Sequence, residues 1–138
     1  MDDPTVEIYE KVGGDAPFYA LVEAFYQGIE NEPLIRPMYP KDMTDAKKHL
    51  ALFLIQRFGG HTQYGDQRGH PRLRMRHIPF TIGEAEKEAW MTHMMAGVDA
   101  TPEFAPFRQI LLDYFESSAA FLVNKNEVPS VRPVPHTE

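Results

Sequence analysis

Cysteine is absent from this 138-residue chain, and that one absence removes several chemistries at once. Disulfides, cysteine-bound zinc, iron–sulfur clusters and thiol nucleophiles are all excluded. Positive charge is scarce too: 14 Lys and Arg stand against 20 Asp and Glu, a formal net charge of -6. Phosphate backbones and anionic membranes are held by net positive surface, so neither nucleic acid nor membrane is an expected partner. No apolar run approaches the ~20 residues of a bilayer span, and no N-terminal stretch resembles a signal peptide, so a cytoplasmic protein is expected. Flavin and nicotinamide motifs are missing, and no Glu has a His three residues later, as a di-iron carboxylate bundle would require. Tryptophan occurs once, at Trp90.

What is present is ordinary for a globular domain except in its aromatics. Hydrophobic residues make up 43%, with nine Phe and six Tyr, so large flat side chains must be housed inside. Residues 4–12 form a short candidate helix closed by Gly13-Gly14. Asp15 is placed to cap a second helix, in which Phe18, Leu21, Val22, Phe25 and Ile29 make an amphipathic stripe with Tyr26 beside it. The segment LIRPMYP is too rich in proline for more than a turn or two of helix, and Met38 and Tyr39 are apolar enough to face inward. Thr44 or Asp45 can cap a third helix running to Phe58. It is apolar on nearly every side, which suits burial on more than one face. Gly59-Gly60 stops it, and a loop is expected to Gly69. Thr81 with Glu84 fits a capping box for a helix through Trp90 and Val98. Thr101-Pro102-Glu103 opens the last helix, with Phe107, Ile110, Leu111, Tyr114, Phe115 and Leu122 on one stripe. The expectation is an all-α domain over residues 1–125. The tail, 126–138, has three prolines and no periodicity, and reads as extended or disordered.

One stretch stands apart: GGHTQYGDQRGHPRLRMRHIPF, residues 59–80, with three of the six histidines and four arginines. Residues 72–77 alternate as a strand would, but they lie between helical patterns without a hairpin partner, and a short helix is expected. Pro79 biases Ile78 away from helical geometry, so that helix ends just after His77. A neutral imidazole at a chain end among apolar neighbours suits iron, zinc or copper. A lone histidine is more often structural, and the pocket must come from the rest of the chain. Taken alone, Trp90, Tyr26 and Tyr39 read as core aromatics, and His93 as an exposed or structural residue.

Gly13-Gly14, Phe25-Tyr26, Tyr39-Pro40, Gly59-Gly60, the run QRGHPRLRMRHIPF and a Trp thirteen residues past its last His together resemble the truncated haemoglobins, specifically the group II or O-type. The resemblance covers roughly residues 6–124. It implies a two-over-two sandwich of four helices around haem, with His77 as the proximal iron ligand. It implies distal roles for Tyr26, Tyr39, Trp90 and Leu50, with Phe25 beside them and Ala46 at the gate position. Leu50, Phe53, Met75 and Trp90 become cofactor contacts, and Arg76 and Tyr64 partners of the haem propionates, with Arg72 and His49 as weaker candidates. His61 departs from the pattern, since the family usually has proline there. With no Cys to attach it covalently, the cofactor is expected to be haem b.

The function implied is binding of O₂, with CO and NO as further ligands. Ala46 cannot fill the sixth iron position, and two O–H groups and one N–H are available to hold a polarised ligand. Slow oxygen release follows, suited to storage, scavenging or oxygen-dependent redox chemistry. The alternative is a haem enzyme, an NO dioxygenase or peroxidase-like, drawing electrons from an external reductase. The chain reads as a monomer or homodimer. A first test addresses the ligand: His77→Gly is expected to abolish tight haem binding or make it depend on added imidazole. Undiminished affinity with an unchanged ferrous spectrum would move the iron ligand elsewhere.

Overall fold

The computed structural model describes residues 4–68 and 82–123. A 3₁₀ turn, Pro4–Glu7, runs into α1, Ile8–Lys11. The long helices follow: α2, Asp15–Glu30, and, after a 3₁₀ turn at Arg36–Met38, α3, Thr44–Arg57. A short helix, α4, covers Gln63–Arg68; α5 is Glu84–Asp99; and a 3₁₀ segment, Pro102–Phe107, leads into α6, Arg108–Leu122. No strand occurs among the described residues. The architecture is the all-α two-over-two sandwich: α2 pairs with α3, α5 pairs with α6, and α2 crosses α5 between the layers.

The stripes read from the sequence are the faces that meet. Phe18, Leu21, Val22, Phe25 and Ile29 are buried on α2, and Tyr26 is buried with them. Leu111 and Phe115 are buried on α6, with Tyr114 half-buried beside them. Phe58, at the end of α3, ties the layers together, its ring 6.2 Å from Phe18, 5.1 Å from Tyr114 and 6.5 Å from Phe115. Each fully buried Phe contributes about 1.5–3 kcal/mol from lost apolar surface alone. Met38 and Tyr39 pack half-buried against this core. Among the described residues no helix is long and apolar enough to cross a membrane.

Four local expectations need correction. Asp15 is the first residue of α2 rather than its cap, which is Gly14. The Asp15 carboxylate is already engaged, accepting from the Tyr9 hydroxyl at 2.7 Å and lying 3.1 Å from His61 Nε2. At α3 neither Thr44 nor Asp45 is the cap. Met43 occupies that position, while Asp42 Oδ1, one residue earlier, accepts the Thr44 N–H at 3.0 Å. That bond holds the Asp42 carboxyl below the usual carboxylate range. The expected loop after Gly60 contains α4, held where the Gly65 N–H donates to Gln56 Oε1 at 2.8 Å and Tyr64 is buried edge-on to Phe53. Its sequence offers one apolar anchor and a glycine, too little for a local signal. Finally, α5 is capped at Gly83, whose N–H donates to Glu86 Oε1 at 2.8 Å, not by a Thr81–Glu84 pair. Thr81, the helix expected at 72–77 and the tail lie outside the described residues.

Both expected glycine stops are present and have the same geometry. Gly13 and Gly59 are left-handed, with φ of 98° and 99°. In each, the next glycine N–H reaches back five residues, Gly14 to Tyr9 O at 3.0 Å and Gly60 to Ile55 O at 2.7 Å. Their surroundings differ. A Cβ on Gly13 would meet nothing within 4 Å, but one on Gly59 would stand 1.7 Å from the Val6 carbonyl oxygen. Gly13→Ala should therefore cost about 1 kcal/mol of backbone strain, and Gly59→Ala about 3 kcal/mol or more as the N-terminal turn is pushed away. Urea unfolding of the two variants checks the order, and equal losses would contradict it.

Candidate functional site

Five elements converge on one cavity of about 180 Å³. α2 contributes Phe25 and Tyr26, the turn after Met38 contributes Tyr39, and α5 contributes Trp90. Leu50, Phe53 and Leu54 of α3 form an apolar wall, and Tyr114, Phe115 and Ser118 come from α6. The aromatic rings are set edge to face: Phe25 lies 5.7 Å from Trp90, Tyr26 5.5 Å from Tyr39, and Trp90 5.9 Å from Phe115. Edge-to-face pairs of this kind are favourable ring contacts and join the lining residues to one another.

Tyr39 sits on an irregular turn, and Arg36 holds that turn in place. The Arg36 guanidinium donates to the carbonyls of Tyr39, Pro40 and Lys41 at 3.1–3.2 Å and to Glu30 Oε1 at 3.2 Å. One side chain thus satisfies three carbonyls that no helix could, and anchors the turn to the end of α2.

The polar tips of Tyr26, Tyr39 and Trp90 are neutral donors, and Tyr114 and Ser118 add two hydroxyls on the α6 side. Burial pushes the Tyr26 hydroxyl far above its ordinary range, and neighbouring Tyr39 adds to the effect. Burial likewise raises Tyr39, to about 12, although the Trp90 N–H, donating to its hydroxyl oxygen, pulls the other way. Tyr114 is also raised by burial, opposed by hydrogen bonds from Ser118 and Arg57 and by the Arg57 charge. The Arg57 guanidinium lies 4.8 Å from the centre of the Tyr114 ring.

Of the residues singled out in the sequence, Phe25, Tyr26, Tyr39, Leu50, Phe53 and Trp90 are brought together around this cavity. Ala46 is half-buried on α3 and packs on the core without being among the lining residues, and Tyr64 stands next to Phe53. His49 is half-buried on α3. His77, Arg76, Met75 and Arg72 lie outside the described residues. His93 Nε2 is 2.8 Å from Glu32 Oε1, and this bond, more than any other contact, lowers the Glu32 carboxyl. Leu54, Tyr114, Phe115, Ser118 and Arg36 were not anticipated as site residues. Tyr114, Phe115 and Ser118 share one helical face by their spacing. That signal was available for Ser118, but a serine on an apolar stripe does not announce itself.

The lining suits a flat, mostly apolar macrocycle with a small polar ligand beside it: aliphatic and aromatic walls, the donors of Tyr26, Tyr39 and Trp90 gathered on one part of it, and no charged side chain among the described residues of the lining. Among the described residues no cluster of His, Asp and Glu could hold a bare metal ion. A model of the bacterial-like globin family matches residues 7–124. The group 2 truncated haemoglobin YjbI of Bacillus subtilis is 34% identical over 119 residues, 86% of this chain and 89% of that one. The chain belongs to the group II truncated haemoglobins.

Solved structures of such globins superpose closely. The thermostable haemoglobin of the actinobacterium Thermobifida fusca is 45% identical, with a TM-score of 0.82 over 87% of this chain and 98% of that one. The truncated oxygen-avid haemoglobin of Bacillus subtilis is 33% identical, with a TM-score of 0.79 over 85% and 98%. The chain is accordingly a haem-binding globin.

The raised tyrosines of this globin give a pH test. Above about pH 10 the unfolded chain loses a phenol proton that folded Tyr39 keeps, so the unfolded state binds fewer protons and stability falls as pH rises toward 12. Tyr39→Phe removes that contribution. Its alkaline loss of stability between pH 10 and 11 should be smaller than the parent's by on the order of 1 kcal/mol in urea titrations. Parallel curves would show that Tyr39 ionises at its ordinary pH.

Proposed function

We propose that this chain binds dioxygen at the iron of a haem b held by His77, and that it releases the gas slowly. The observation that carries this reading is the gathering of three neutral donors, Tyr26, Tyr39 and Trp90, on a cavity otherwise lined mainly by apolar side chains. Haem, when bound, supplies an iron with a coordination position for a diatomic gas; CO and NO would compete for it. His77 would supply the protein nitrogen, Arg76 and Tyr64 would meet the propionates, and Leu50, Phe53 and Met75 would flank the macrocycle.

The donors decide what happens to the ligand. Trp90 cannot lose its proton at ordinary pH, and its N–H and the Tyr39 O–H would both be available to a polarised ligand. Tyr26 is too buried to ionise readily, so it too donates a hydrogen bond without giving up the proton. Each net bond is worth about 1 kcal/mol, and two together slow escape on the order of thirtyfold. Donors that hold a bound ligand favour its retention, which suits storage or scavenging; NO dioxygenase or peroxidase-like activity is the alternative reading. The oxygen avidity of the Bacillus subtilis relative points the same way.

An absorption spectrum of the reduced protein with and without CO tests the cofactor. The donors are separated by stopped-flow displacement of O₂ by CO. Trp90→Phe should raise the dissociation rate about tenfold or more, because it removes an N–H and also the bond that orients Tyr39. Tyr26→Phe should do less. A larger effect from Tyr26→Phe would make that tyrosine the anchor.

A further inference from the structure

Tyr26 is a wall of two cavities at once. It lines the apolar cavity together with Leu50 and Trp90, and it also lines a second, polar cavity of about 270 Å³. The polar cavity is bounded by Gln27 and Glu30 of α2, Lys41 and Asp42 of the connecting segment, and Thr44 and Lys47 of α3. The two lie one helical turn apart along α3, since Lys47 lines the outer cavity and Leu50 the inner. Gln27, Lys41, Asp42 and Thr44 are exposed, so the outer cavity adjoins solvent, whereas Tyr26 is 4% exposed. Beside it α2 and α3 are bridged by Lys47 and Glu23 at 3.3 Å, a partly exposed ion pair that adds little rigidity.

We propose that the outer cavity is a way in for small uncharged gas molecules, with the Tyr26 ring as the movable partition between it and the inner cavity. This rests on the gas-binding reading above. The partition would select by chemistry. An ion or a hydrogen-bonded solute in the outer cavity faces Lys41, Asp42 and Lys47, and would have to give up those partners and its water to pass into the apolar cavity. A diatomic gas has no such partners to lose. The Tyr26 ring is packed edge-on against Phe25 at 5.0 Å and Tyr39 at 5.5 Å, so opening the wall would cost these two ring contacts while the helix backbones stay in place. The same residue would then admit the ligand and donate to it.

A barrier on a passage slows travel in both directions equally and leaves the affinity unchanged. That signature separates a passage residue from one that touches the bound ligand. Because the chain has no cysteine, Thr44→Cys introduces a single thiol at the outer cavity, and Ser117→Cys a control thiol on the exposed side of α6. Each is labelled with benzyl methanethiosulfonate on the haem-loaded protein. CO association is read by flash photolysis and CO dissociation by NO displacement. The label at position 44 should slow both by about tenfold with their ratio unchanged, removal by dithiothreitol should restore both, and the label at position 117 should do neither. A second readout needs no haem. Trp90 is the single tryptophan and lines the inner cavity, so quenching of its fluorescence by dissolved oxygen in the full chain before haem is added should weaken when position 44 is labelled. An unchanged CO association rate, a change in one direction only, or unaltered oxygen quenching would overturn the proposal. Absence of any CO-dependent spectrum in the unlabelled protein would fault the haem reading instead, and the quenching would still decide the passage.

Discussion

Helices α2 and α5 touch at a glycine on each, and the site depends on that closeness. A Cβ on Gly97 of α5 would lie 2.8 Å from the Leu21 carbonyl oxygen and 3.4 Å from the Phe25 nitrogen. A Cβ on Gly28 of α2 would lie 2.2 Å from His93 Nδ1. The first would force the layers apart, because it meets backbone, and the second would displace the His93 ring from its place beside Glu32. With the helices this close, Phe25 and Tyr26 on one and Trp90 on the other are brought to the same cavity. The His93–Glu32 bond then pins the far end of the crossing.

Holding a cavity open is expensive in a protein of this size. The inner cavity of about 180 Å³ forgoes contacts that a close-packed core would make, which weighs on the modest stability of a typical domain. Rings carry that load better than aliphatic chains. Phe58 bears on Phe18, Tyr114 and Phe115, Phe115 on Trp90, and Trp90 on Phe25, so the walls brace one another. A group that fills the space returns the lost contacts, which couples cofactor binding to stability.

Polar side chains supply what the apolar packing cannot. Arg36 fixes the turn that carries Tyr39, and Asp15 joins Tyr9 and His61 where the N-terminal segment meets the end of α3. The second nitrogen of His61, Nδ1, is buried without a hydrogen-bond partner among the described residues. Asp15 and Asp42 also show why cap assignments missed. A short acid near a helix start has several donors within reach, and the one it takes depends on which other segment arrives beside it.

The long helices were legible in the chain because their cause is periodic and local. Phe18 through Ile29 and Phe107 through Phe115 repeat at three and four, and the glycines at 13 and 59 stop helices by a backbone conformation that needs no distant partner. Phe25, Tyr26, Tyr39, Leu50, Phe53 and Trp90, singled out through the resemblance, do line one cavity. Helix α4 was not legible, since it depends on Gln56 reaching across to Gly65. Nor were Arg36, Ser118, the Trp90 bond to Tyr39 or the outer cavity behind Tyr26. Each of these is a meeting of residues far apart in sequence or on an irregular turn, fixed only when two layers close around a shared space. Periodicity specifies which face a residue takes; what waits on the other side of that face is decided by the packing.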